Sequence, residues 1–202
     1  LQQSKDNPLN HPLHYNGINL DRELGQYVSR SSRFELFWVL GRSKKVASNP
    51  VMRKRIPYVK KWCEEKGLTV EESEYHYKPV YEASKAYYSN IARFDTDDDP
   101  EELFGDLFVS EDQAYAKMAH ALRFDDRAFG YTMGYPSCCI EFYIYWFDKR
   151  VTRGNDYVIP SIQSLGNFPC LNNFLLHYFA ISLVSHFPCS PHCSETKKIA
   201  AN

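Results

Sequence analysis

The sequence lacks any apolar run long enough to cross a membrane. A spanning helix needs about 20 apolar residues, whereas the best candidate, 174–184, is shorter and includes His177. The first 16 residues are polar, carry Pro8 and Pro12, and show no apolar segment of the kind found in signal peptides. We therefore expect a cytoplasmic protein with no membrane partner.

The chain also lacks a large excess of either charge. Its formal net charge is −1, so no overall attraction to nucleic acid or to anionic lipid follows. One local basic band lies within residues 42–61 and is made of Arg42, Lys44, Lys45, Arg53, Lys54, Arg55, Lys60 and Lys61. We interpret this band as a solvated helical face and do not expect nucleic-acid binding.

Repeats and low-complexity segments are absent too, and 44% of the 202 residues are apolar. This composition predicts a single compact α+β domain, helix-rich with a small sheet. Residues 1–18 are expected to form an extended arm and 19–202 the domain, with a helical part over 19–67 and a mixed part over 68–202. Periodicity predicts helices over 21–47, 56–66, 111–124, 137–149 and from about 191, and a strand over 68–77 paired with 87–94.

Cysteine, in contrast, is well represented. An even number of cysteines suggests disulfides in a small secreted protein, but here five of the six follow residue 137 and no secretion signal is visible. Such clustering is more typical of metal ligands or reactive thiols in a reducing compartment. Cys63 follows Trp62 in a predicted helix and is interpreted as a core residue, whereas the sequence leaves the role of Cys170 open.

Two segments place these cysteines near predicted helix starts. In Gly134-Tyr135-Pro136-Ser137-Cys138-Cys139, Ser137 is a suitable N-cap, so Cys138 and Cys139 would lie in the first turn, where free N–H groups stabilise a thiolate. Because adjacent helical positions point about 100° apart, we expect one of the pair to bind a metal, with Cys139 favoured.

The second segment runs from His186 to Cys193 and contains Cys189 in a C-x3-C pattern. Ser190 is a plausible N-cap and Pro191 suits the first helical position, which would place Cys193 one turn inside the helix. The spacing is within the range of zinc ligands. The candidate metal ligands are therefore Cys138, Cys139, His186, Cys189 and Cys193, while His177 could approach the same site.

Both motifs, G-Y-P-x-C-C and H-x-P-C-S-x-x-C followed by the hydroxyl residue Thr196, resemble an uncharacterised prokaryotic family, domain of unknown function 483. The similarity covers 130–200 and, more weakly, 34–77, where L-G-R-S-K-K-V-A occurs. A serine would be expected at position 196. The resemblance implies a shared cysteine site and no particular activity.

Thiolate-rich ligation suits both a [4Fe–4S] cluster and zinc. The leading hypothesis is an enzyme in which such a centre acts on a small-molecule substrate, with Glu141 and His192 as catalytic proton-transfer groups. One alternative is a structural zinc in an interaction module that binds through the basic band. Another is a metal-free enzyme with Cys138 or Cys139 as nucleophile and a histidine as base.

Overall fold

The computed structural model describes residues 13–82, 87–93, 102–152, 186, 188–190 and 192–201. Its helices are α1 Leu20–Leu24, α2 Arg30–Leu40, α3 Ile56–Glu65, α4 Gln113–Leu122, α5 Asp126–Thr132, α6 Ser137–Thr152 and α7 Ser194–Ala201. Its strands are β1 His14–Tyr15, β2 Ile18–Asn19, β3 Val46–Met52, β4 Thr69–Glu72, β5 Lys78–Glu82, β6 Tyr87–Arg93 and β7 Phe104–Ser110. The α+β class predicted from the sequence is confirmed.

A three-stranded antiparallel sheet in the order β3-β7-β4 forms the centre of the fold. Ser110 of β7 pairs with Val46 of β3 on one side and with Thr69 of β4 on the other. Strands β5 and β6 pair with each other, as do β1 and β2. The long central strand β7 therefore aligns segments that are far apart in the sequence.

Helices cover both faces of this sheet. Successive residues of a strand point to opposite faces, so neighbouring residues of β7 pack in different cores. Leu107 of β7 packs in the larger core together with Leu36 of α2 and Val59 of α3. Phe108, the next residue, packs in a smaller core with Ala119 of α4 and with Met133. The smaller core thus lies next to the turn that leads from α5 into α6.

Several predicted elements are confirmed with small shifts at their ends. The helices predicted over 56–66, 111–124 and 137–149 correspond to α3, α4 and α6. Pro57 lies in the first turn of α3, as expected, and Gly67 follows its end with a φ of 74°. None of the described helices has the length and apolar character that crossing a membrane requires.

Two predictions about secondary structure are wrong. The segment predicted to be helical over 21–47 contains the two helices α1 and α2, which end at Gly25 and Gly41, but its last residues are not helical and begin strand β3. The strand predicted over 68–77 pairs with β7, whereas the described part of its predicted partner 87–94, strand β6, pairs with β5. The described residues at the amino-terminal end of the chain form the β1–β2 hairpin.

Candidate metal centre

The turn between α5 and α6 sets the position of the first pair of cysteines. Gly134 has a φ of 77°, a conformation that favours glycine, and reverses the chain after α5. The carbonyl of Pro136 then accepts hydrogen bonds from the backbone N–H groups of Cys139 at 2.9 Å and Ile140 at 3.0 Å. The bond to Ile140 is the first bond of α6, so Pro136 and not Ser137 occupies the capping position, and both cysteines lie in the first turn.

A second turn positions the other pair. The N–H of Cys193 donates to the carbonyl of Ser190 at 3.1 Å, and the N–H of His192 donates to the Ser190 hydroxyl at 3.2 Å. Helix α7 begins only at Ser194, and Lys197 donates to the carbonyl of Cys193 at 3.1 Å. The helix was predicted to begin near residue 191, so Cys193 is located at its cap and not one turn inside it.

These two turns bring four sulphur atoms together. The Sγ atoms of Cys138, Cys139, Cys189 and Cys193 all lie within 4.8 Å of one another. The Cys193 Sγ is 3.6 Å from that of Cys138 and 3.7 Å from that of Cys139. The prediction that the two motifs meet in one place is confirmed, and the arrangement is compatible with a bound metal.

Both Cys138 and Cys139 belong to the cluster of sulphur atoms, although only one of them was expected to be a metal ligand. Their sulphur atoms are 3.9 Å apart. That expectation rested on the angle of about 100° between adjacent positions of a helix. Helical side chains lean toward the amino terminus, so two adjacent residues in the first turn can converge on a point beyond the end of the helix.

The four thiols differ in exposure and in acidity. Cys138 is exposed, Cys189 is half-buried, and Cys139 and Cys193 are buried. Burial raises the pKa of Cys139 far above its ordinary value and that of Cys189 to about 12. Burial also acts to raise the pKa of Cys193, but hydrogen bonds involving Thr196, Cys138 and Cys139 outweigh it and lower that pKa to about 7. Deprotonation of the whole group would therefore require a cation.

A hydrogen-bonded chain surrounds Cys139. Its sulphur accepts the backbone N–H of Cys189 at 3.4 Å and lies 3.4 Å from the hydroxyl of Thr196. That hydroxyl, which is fully buried, lies 2.9 Å from Nε2 of His186. The sequence indicated Thr196 only as part of the motif that resembles the family. A hydroxyl that lies next to a sulphur atom in the fold has no characteristic spacing from it in the sequence, so the contact with Cys139 could not be predicted. His186 was predicted to be a metal ligand. It instead contacts the hydroxyl of Thr196, and it is not one of the four groups, all cysteines, that cluster together.

The residues predicted to transfer protons lie at the surface. Glu141 is exposed, and its Oε2 accepts a hydrogen bond of 2.8 Å from Arg127. The His192 side chain is also exposed. Their catalytic roles stay predictions. Cys170 and His177 lie outside the described residues.

Several cations of the basic band of residues 42–61 are paired with carboxylates. Arg42 pairs with Glu111 at 3.0 Å, and Lys60 pairs with Glu72 at 3.1 Å. Lys44 is buried against the carboxylate of Glu35. Only part of the band is therefore available as free positive charge.

Comparison of the chain with family models, with curated proteins and with solved structures gave no match. The resemblance to domain of unknown function 483 accordingly stays a prediction.

Proposed function

We propose that this protein is a zinc protein in which Cys138, Cys139, Cys189 and Cys193 bind a single ion. The observation that carries the proposal is the spacing of the sulphur atoms. Thiolates about 2.3 Å from a tetrahedral zinc are about 3.8 Å apart. The sulphur atoms of Cys138, Cys139 and Cys193 are 3.6, 3.7 and 3.9 Å apart, and that of Cys189 lies within 4.8 Å of each of them. The four side chains thus have the dimensions of a single-ion site.

The same spacing argues against a [4Fe–4S] cluster. In such a cluster each thiolate binds a different iron, so the four sulphur atoms must be farther apart than they are around one ion. All four lie within 4.8 Å of one another. Four cysteines would also fill every position of a tetrahedral zinc, which is characteristic of structural sites and not of catalytic ones. The geometry therefore supports a structural ion over an open Lewis-acid centre.

The proposed role of the ion is to attach the carboxy-terminal segment to the rest of the domain. Cys189 and Cys193 lie in this segment, while Cys138 and Cys139 begin α6 and directly follow the α5–α6 turn. With the segment held there, His186 and Ile199 line a cavity together with Trp38 of α2. The zinc would thereby join two parts of the chain into one binding surface.

Metal analysis of anaerobically purified protein tests this proposal. We expect a colourless protein that holds one zinc per chain, and a variant with all four cysteines replaced by serine that holds none. A brown protein absorbing near ~400 nm would instead indicate an iron–sulphur centre. A metal-free wild type with one rapidly alkylated thiol would overturn the proposal and favour the cysteine-nucleophile hypothesis.

A further inference from the structure

A small cavity lies beside the metal centre, at the junction of the amino-terminal and carboxy-terminal parts of the chain. Its volume is about 120 Å³. Its lining includes Trp38, Lys44, Lys45, Met133, Tyr135 and His186. The cavity is separate from the four sulphur atoms, and the hydrogen bond between His186 and Thr196 lies between them.

Among the side chains that line this cavity, one lysine has no carboxylate partner within the described part of the chain. The ammonium of Lys44 is bound to Glu35, and both side chains are almost completely buried, so this pair is neutral as a whole. Nε2 of His186 lies 2.9 Å from the Thr196 hydroxyl and is engaged there, while burial, and then the charge of Lys44, lowers the pKa of the ring. Lys45 is exposed, and no carboxylate among the described residues pairs with it. The cavity therefore favours an anion with a single charge.

The remaining walls are aromatic or apolar. The centre of the Tyr135 ring lies 5.3 Å from the centre of the His186 ring and 5.2 Å from Nζ of Lys44. The ammonium of Lys44 thus makes a cation–π contact with Tyr135. Trp38, Met133 and Ile199 add apolar surface to the lining, next to Ser43 and Gly134. A pocket that combines apolar walls with one or two oriented polar groups is the usual form of a small-molecule site.

The cavity volume limits the size of the ligand. A dry cavity of about 150 Å³ holds a benzene-sized molecule, so 120 Å³ suits a single ring or a compact branched chain. A phosphate dianion fits less well, since only Lys45 offers an unpaired positive charge and phosphate sites gather several donors.

From these observations we infer that the cavity binds a small monocarboxylate with an apolar body of single-ring size, whose carboxylate lies toward Lys45 and whose body lies against Tyr135 and Trp38. The inference rests on the proposed function, because His186 belongs to the segment that the zinc holds. Ligand and metal would then be coupled through His186 and Thr196, although they occupy different sites.

The test is a titration of the full, zinc-loaded chain with benzoate, followed through the amide resonances of Lys45 and Gly134. We expect saturable binding in the millimolar range or tighter, and binding of the neutral analogue benzamide that is weaker by about threefold or more. A two-ring acid such as naphthoate should bind more weakly than benzoate, because the cavity is too small for it. The K45Q variant should weaken benzoate binding by about threefold, and its zinc content should be unchanged.

The matched control is K54Q, which removes an equally exposed lysine outside the cavity and should leave the benzoate affinity unchanged. The inference is overturned if benzoate does not bind at about 10 mM, if benzamide binds equally well, or if K54Q and K45Q have the same effect. Zinc content is measured on each sample. A protein with zinc that fails to bind benzoate contradicts the cavity inference alone, whereas a protein without zinc contradicts the proposed metal site.

Discussion

Cys63 and Cys139 are both nearly inaccessible, at 0% and 2% exposed, and burial raises the pKa of both thiols. Their surroundings nevertheless differ. Cys63 belongs to the apolar core, with Val59 and Trp62 among its members, and behaves as a small hydrophobic residue. Cys139 has other sulphur atoms and a hydroxyl within hydrogen-bonding reach. At the level of single residues, polar neighbours and not burial distinguish a ligand from a core thiol.

Serine substitutions should separate the two classes. We expect single C138S, C139S, C189S and C193S variants each to lose most of the bound zinc and several kcal/mol of stability, because metal binding contributes to folding. The C63S variant should keep its zinc and lose only about 1–2 kcal/mol of packing. Zinc content and thermal melting, measured in parallel on all five variants, check this.

The result for Cys138 is the most discriminating part of this series. It is the exposed member of the four, so a C138S variant with full zinc content would mean that only three cysteines bind the metal. If C189S and C193S also retained zinc, the single-ion site itself would be contradicted.

The sequence made it possible to predict the four cysteines but not their full geometry. Their placement in two short motifs near helix starts was sufficient to group Cys138, Cys139, Cys189 and Cys193. That Cys138 and Cys139 converge depends on how the side chains of the first turn of α6 lean past the end of the helix, and a linear pattern does not contain this. The contact between the Thr196 hydroxyl and the Cys139 sulphur could not be predicted either, because the two residues are 57 positions apart in the sequence.

At the level of secondary-structure elements, β3 contains a buried polar residue. Asn49 is fully buried and pairs with Leu107 of β7 through the backbone register. Within the described part of the chain, neither Nδ2 nor Oδ1 of its side-chain amide has a hydrogen-bond partner. An unsatisfied buried amide costs about 1–3 kcal/mol, so this position reduces the stability of the sheet.

Replacing Asn49 by valine should therefore raise the stability by about 1 kcal/mol, because a β-branched side chain suits a buried strand position. Chemical denaturation of both proteins measures the change. The N49D variant serves as the opposite control and should be destabilised, since it would bury a charge. A loss of stability in N49V would show that an internal water satisfies the amide of Asn49.

Helices were easier to predict from the sequence than strands, and the reason is physical. Helices α3 and α4 each present one buried face, which gives a clear periodicity. In the central strand β7, residues 107–110 are all buried, because helices cover both faces of the sheet. Apolar and polar residues then do not alternate, and a short strand of this kind has no periodic signal. Strand β3 was hidden by Asn49 and Pro50, two residues that are uncommon in strands.

For the whole molecule, the larger core and the metal centre are built from different parts of the chain. Every buried member of that core lies between Leu20 and Val109, whereas the cysteines of the metal centre begin at residue 138. Removal of the metal should therefore release the carboxy-terminal segment and leave the central sheet intact.

Hydrogen exchange before and after treatment with a strong zinc chelator measures this effect. We expect amides over residues 186–201 to lose protection, while those of Val51 and Leu107 keep theirs. The C63S variant, treated in the same way, should show the same local pattern. A uniform loss of protection throughout the chain would show instead that the core and the metal centre unfold as one unit.

The separation of the two cysteine pairs has a further consequence for metal affinity. The contact between Cys139 and Cys189 closes a loop of 50 positions. The entropy of closing a flexible loop grows only with the logarithm of its length. Lengthening the intervening chain by half would weaken zinc binding by only about 0.4 kcal/mol, or roughly twofold. Insertions between the two motifs should thus be tolerated by the metal centre, whereas a single inserted residue between Cys189 and Cys193 would alter the turn that aligns them.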